Sequence, residues 1–165
     1  MAGYVIHLAV GEEYIRKYKD DIKDKKDFFR GIVAPDRTDN NRKAHYGEKN
    51  LIESLKNFLS QNNEEIEKDY IKGYFLHLIT DYIFYGKYFS RGHYYEDYDR
   101  TNKKIIEKYN VEIPEELKKY AIFTEGEPEY LKYHIIDEII ELSIENSIEE
   151  NVEKVLKGEF YEYKN

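Results

Sequence analysis

Two pairs of a histidine and a carboxylate mark where this sequence could do chemistry. His77 and Asp81 lie four residues apart inside the most apolar stretch of the chain, IKGYFLHLITDYIFYGKYF (residues 71–89). His134 and Glu138 repeat that spacing inside YHIIDEII. At about 3.6 residues per turn, the spacing puts both members of a pair on one face of a helix. Burying a carboxylate without a partner is costly, so the first pair calls for a cation, a hydrogen-bond network or a water-filled cleft. Three further histidines, His7, His45 and His93, are spread along the chain, and Asp36 stands in a Pro-Asp turn between the first two. His-carboxylate pairs projecting from facing helices are a usual way for a bundle to hold a metal. Cys is absent, which leaves His, Asp and Glu as the strong ligands. That donor set suits Zn, Mn or Fe, and zinc is the usual hydrolytic choice among them.

The elements that must position these residues read as helices. A chain of 165 residues fits one domain with a real core, so residues 1–165 are expected to form a single unit. Pro occurs only three times, and long Glu-, Lys-, Leu- and Ile-rich stretches predict an all-α, single-domain multi-helix bundle. A first helix is expected over residues 4–19 from the stripe Val5, Leu8, Ile15 and Tyr18. Gly11 inside it suggests close approach of another group to the backbone. DFFRGIVAPDRTDNNRKAH (27–45) reads as a long loop, the kind that tends to carry function. A helix from about His45 through Ser60 presents Leu51, Leu55, Phe58 and Leu59. The central helix follows, with Lys72, Tyr74 and Lys87 expected toward water. SRGHYYEDYDR (90–100) reads as a polar, aromatic loop with Asp97 and Asp99 near His93. A short helix is expected over 99–109 and another near Pro114, a favoured first-turn residue. One long last helix over 127–156 takes the stripe Leu131, Ile135, Ile139, Leu142, Ile148, Val152 and Val155.

Charge and hydropathy exclude some roles. The formal charge is −8, which gives no general attraction to nucleic acid or to an anionic membrane. No run approaches the ~18 apolar residues of a spanning helix. The segment MAGYVIHLAV has no basic region before its apolar residues, so a cytoplasmic location is the expectation. The Tyr count of 18 is what an AT-rich codon bias produces, and no aromatic code is read from it.

In chain order the candidates are His7, Asp36, His45, His77 with Asp81, His93, and His134 with Glu138. This order, both helical spacings, the GIVAPD turn and the GYFLHLITD helix resemble the zinc-dependent phospholipase C family and the related P1-type nucleases, in particular compact leaderless members. The resemblance runs from His7 to Glu138 and implies an all-α fold with two or three Zn2+ ions. It implies that Asp36, His45, His77 and Asp81 surround one metal, that His93, His134 and Glu138 hold a second, and that Asp81 with His7 holds a third. Asp97 or Asp99 could replace or supplement His93. The activity implied is hydrolysis of a phosphodiester or phosphomonoester by a metal-activated water, with Asp36 orienting or deprotonating that water. The substrate would be a small phosphoester or a phospholipid, and nucleic acid would enter only as something hydrolysed. Lys87, Arg91 and Arg37 lie near candidate ligands and could hold a phosphate. Two other readings stand beside this one. A non-catalytic binding or regulatory domain could keep a structural metal, and a metal-free bundle could bury His77 and Asp81 in a hydrogen-bond network.

Overall fold

The computed structural model describes residues 3–89 and 94–163. Their secondary structure is all α-helical, with no strand among the described residues. Helix α1 spans Tyr4–Lys17, α2 Lys25–Val33, α3 Asn41–Ala44, α4 Ile52–Asn62, α5 Asp69–Ile83, α6 Tyr95–Tyr109, α7 Tyr133–Ser143 and α8 Ile148–Leu156. Among the described residues, no helix is long and apolar enough to cross a membrane.

Helix α5 is the axis of the fold. Every residue from Phe75 to Ile83 is buried, and α1, α2, α4, α7 and α8 all pack against it. A helix apolar on all sides has to be enclosed, and the surrounding helices each supply one apolar stripe. From α4 come Leu55, Phe58 and Leu59, from α7 Ile136, Ile139 and Ile140, and from α8 Ile148, Val152 and Val155. Fully burying one such side chain stabilises by about 1.5–3 kcal/mol, so the enclosure of α5 dominates the core. Tyr74 is half-buried, with its ring stacked on Phe58 at 5.3 Å between centroids. Lys72 is half-buried and bonds the Asp21 carboxylate at 2.9 Å.

The closest approach in the core is between α2 and α5, and glycine makes it possible. A Cβ at Gly31 would stand 2.0 Å from the Tyr70 carbonyl oxygen, and one at Gly73 would stand 2.1 Å from that of Phe28. The two backbones therefore touch directly, a contact that any side chain would pry apart. Gly11 plays a similar part on α1, where an added Cβ would meet the Phe29 ring at 2.6 Å, as expected for a glycine inside a helix.

Several segments differ from their sequence reading. Residues 25–33 form α2 rather than loop, because Gly31 is a packing glycine and Asp24 caps the helix by accepting from the Asp27 N–H at 3.1 Å. The long last helix is two: α7 ends at Ser143, and Ser147 restarts the chain by accepting from the Glu150 N–H at 3.1 Å. The stretch near Pro114 is a 3₁₀ turn over Glu115–Tyr120, and α6 begins at Tyr95 rather than at 99.

Candidate metal centre

Asp36, His45, His77 and Asp81 converge from three parts of the chain. Each offers one ligand atom, and these atoms all lie within 4.8 Å of one another. Their side chains are at most 1% exposed. His77 and Asp81 project from the same face of α5, with Nε2 of the first 3.1 Å from Oδ2 of the second.

Local structure explains how the other two arrive. Pro35 opens a 3₁₀ turn over Ala34–Asp36 at the end of α2, and Tyr4 of α1 donates a hydrogen bond to the Asp36 carbonyl at 3.1 Å. His45 terminates α3, whose start is capped by the Asn40 side chain accepting from the Lys43 N–H at 3.2 Å. Tyr74 of α5 donates to the Ala44 carbonyl and holds α3 against the central helix. Immediately after His45 the chain turns through two left-handed residues, Tyr46 with φ 59° and Gly47 with φ 132°. Left-handed backbone at a tyrosine costs about 1–2 kcal/mol, strain retained where the chain must leave His45 pointing inward.

The backbone also sets the protonation of both ligand-like histidines. Nδ1 of His77 lies 2.6 Å from the Ile32 carbonyl oxygen, and Nδ1 of His45 lies 2.7 Å from that of Asn41. A carbonyl only accepts, so each Nδ1 carries the hydrogen and each neutral ring turns a bare Nε2 lone pair inward. Such outer bonds are how metal-binding imidazoles are oriented. The Gly31–Gly73 contact is what brings Ile32 within reach of His77.

Inside the cluster the two Nε2 atoms are 3.3 Å apart. Asp36 Oδ1 lies 3.2 Å from His45 Nε2 and 3.6 Å from that of His77, and Asp81 Oδ2 lies 3.2 Å from His45. Both Asp36 oxygens and Asp81 Oδ2 are buried without a hydrogen-bond partner among the described residues. Lone pairs facing lone pairs in a buried space repel unless positive charge sits among them. Metal–ligand bonds of about 2.0–2.2 Å place neighbouring donors about 3.0–3.6 Å apart, which matches the spacings found. The cluster therefore has the donors, burial and dimensions to hold a metal ion. Protons are the competing occupant. Burial disfavours a charged His77, but Asp36 and Asp81 outweigh it and push its pKa up to about 10. Burial likewise opposes charge on Asp81, and the histidines hold its pKa well below the usual carboxylate range.

His7 is a neighbour of this cluster. Its Nε2 lies 3.1 Å from Asp81 Oδ1, the carboxylate oxygen other than the one that faces His45 and His77. Its ring stacks on His77 with centroids 3.6 Å apart and planes 7° apart. Its Nδ1 is buried without a partner among the described residues, and burial together with His77 lowers its pKa.

The second helical pair is placed elsewhere. His134 and Glu138 are exposed on α7, and Glu138 pairs with Lys87 at 3.1 Å. The buried stripe of α7 is Ile136, Ile139, Ile140 and Ser143, which turns His134 and Glu138 toward solvent. The expectation that they hold a metal beside the other ligands does not agree with this placement. His93 and Arg91 lie outside the described residues. Asp97 is no substitute for His93: it accepts from the N–H groups of Glu129, Tyr130 and Leu131 at 2.7–2.9 Å and ties α6 to the segment before α7. Of the candidate phosphate cations, Lys87 is engaged by Glu138, and Arg37 lies 4.0 Å from Glu116.

Tyr85, which the sequence reading passed over, stands four positions after Asp81, whose charge adds to burial in raising its pKa. It belongs to a π-helical turn, Phe84–Tyr88, that follows α5 directly. Such turns are rare and collect at functional sites. Comparison of the chain with protein-family models, with curated proteins and with solved structures gives no match, so what the site can do has to be argued from its own residues.

Proposed function

We propose that the chain is a metal-dependent phosphoesterase with one zinc-type ion held by Asp36, His45, His77 and Asp81. The observation that supports this most is the convergence of two carboxylates and two Nε2 lone pairs whose tautomers are fixed from outside by Ile32 and Asn41. Bound there, an ion would supply Lewis acidity toward a phosphoryl oxygen and lower the pKa of a coordinated water to about 7. The chain's own residues do the rest. His45 and His77 present their Nε2 lone pairs once a bound cation has displaced the protons that compete for them. Asp81 spans the cluster and His7, with one oxygen toward each. Asp36, whose two oxygens have no hydrogen-bond partner among the described residues, is the carboxylate best able to orient a water or take its proton. The second ion implied by the family resemblance has less support, since His134 and Glu138 face solvent.

A second reading has its own support. Four protein donors close a tetrahedral shell, which is the habit of structural zinc, and the four side chains are at most 1% exposed. In that case the chain is a helical binding domain stabilised by its ion. Purified protein loaded with Zn(II) or Mn(II) and assayed on nitrophenyl phosphate mono- and diesters separates the two. Hydrolysis lost in His77→Ala supports the enzyme, and one bound ion per chain with no hydrolysis supports the structural site.

A further inference from the structure

A metal centre this deeply buried needs a route by which ligands reach it, and one surface cleft is lined by residues next to the cluster in the chain or bonded to it. The cleft, about 380 Å³, is lined by Asn41, Arg42, Gly47, Glu48, Lys49, Asn50 and Tyr85. Two of these residues belong to the surroundings of the cluster. The Asn41 carbonyl accepts the Nδ1 hydrogen of His45 at 2.7 Å, and Tyr85 shares the face of α5 and its following turn with Asp81. Burial raises the pKa of the tyrosine most, and the charge of Asp81 adds to it. Its ring is half-buried, and Lys49 sets its ammonium 5.3 Å from the ring centroid. Arg42 stands across the mouth, 2.8 Å from Glu48.

From this placement we propose that the Asn41–Asn50 cleft is the entrance to the metal centre, with Tyr85 as its gate and Arg42 and Lys49 as the cations that receive a phosphate group. The proposal rests on the phosphoesterase reading and narrows it. A volume near the lower end of small-molecule pockets, about 300 Å³, takes a phosphate on a small organic group rather than a two-chain phospholipid. On a chain of formal charge −8, an anion needs local cations at its point of entry. The ring at position 85 acts by packing, and its displacement by the incoming anion opens the path.

The test uses the full-length protein loaded with Co(II), whose visible absorption reports its ligands. Release of cobalt to excess chelator is expected to speed up about tenfold or more in Tyr85→Ala and to stay slow in Tyr85→Phe, which keeps the ring. Inorganic phosphate is expected to perturb the cobalt spectrum, with an affinity that falls about tenfold in the Arg42→Ala/Lys49→Ala double variant while cobalt stoichiometry is unchanged. A short-chain phosphatidic acid below its micelle concentration should bind no better than inorganic phosphate. Equal release rates in wild type and Tyr85→Ala, or equal phosphate affinity in the double variant, overturn the proposal while the metal centre stands. Tighter binding of the short-chain lipid overturns its small-ester part. A wild-type protein that takes up no cobalt overturns the metal-centre reading itself, and the entrance with it.

Discussion

Replacing Gly73 by Ala should loosen both the core and the candidate metal centre, because the same contact serves both. An added methyl would stand 2.1 Å from the Phe28 carbonyl oxygen and 2.9 Å from the Ile32 N–H nitrogen. Both neighbours are backbone of α2, so α2 must retreat from α5 by about 1 Å or more to restore ordinary contact. That retreat stretches the 2.6 Å bond between His77 Nδ1 and the Ile32 carbonyl past ~3.5 Å, where it ceases to be one. Overpacking of this kind costs about 1–3 kcal/mol, and an imidazole N–H left unpartnered in the interior costs about 1–3 kcal/mol more. Alanine's better helix propensity returns about 1 kcal/mol. The net expectation is a loss of about 3 kcal/mol, which for a chain of this length lowers Tm by about 6–12 °C. Thermal unfolding followed at 222 nm measures it, and zinc affinity of the same variant should fall about 10–100-fold as His77 loses its orienting partner. A Tm equal to or above wild type would mean that propensity outweighs the clash, and would refute the backbone contact as the element that sets His77.

Other expectations follow from the same geometry. In metal-free protein His77 is raised from 6.5 to about 10, so its charge stabilises the fold fully below about pH 6.5 and is lost as pH rises through about 10. Metal and proton compete for Nε2, so the Tm gained on adding zinc should widen from about pH 6 to 8.5, and a constant or narrowing gap would argue against imidazole ligation. Asp81→Asn should lower bound metal by more than it lowers Tm, whereas in a metal-free network the carboxylate's loss would show mainly in stability. His134→Ala and Glu138→Gln should leave metal content at the wild-type value, as fits their exposed position on α7, and loss of an ion from either would restore them as ligands. Asp97→Ala removes the acceptor of three backbone N–H groups and should cost about 2–3 kcal/mol in a urea titration without changing bound metal.

The helical class and the central helix were legible for local reasons, whereas the grouping of Asp36 and His45 with His77 and Asp81 was implied by the family resemblance alone. Apolar residues without interruption from Phe75 to Ile83, apart from His77, Thr80 and Asp81, leave a helix no option but burial, so its polar members must meet partners. Where one face of a helix is polar, spacing alone misleads. Four-residue separation says that His134 and Glu138 share a face, and only the apolar set Ile136, Ile139 and Ile140 tells which face it is. That signal was present in the sequence. So was the Ser147-x-x-Glu150 cap that divides the last helix, a recognised start signature. The identity of α2 as a helix was harder to read, since Gly31 looks like a breaker until a second glycine, Gly73, is placed against it by the fold. Likewise nothing in the local sequence says that the Ile32 and Asn41 carbonyls fix the two histidine tautomers, because those bonds join positions 45 residues apart in one case.

The most direct test is to count metal. Elemental analysis of purified protein, before and after incubation with Zn(II) and exhaustive dialysis, should find at least one divalent transition-metal ion per chain in the wild type. The Asp36→Ala/Asp81→Asn double variant should bind none, even at a temperature where its helical signal is intact. A wild-type protein that remains folded and binds no metal would contradict the account, and would leave the four residues as a protonated ion-pair network in the core.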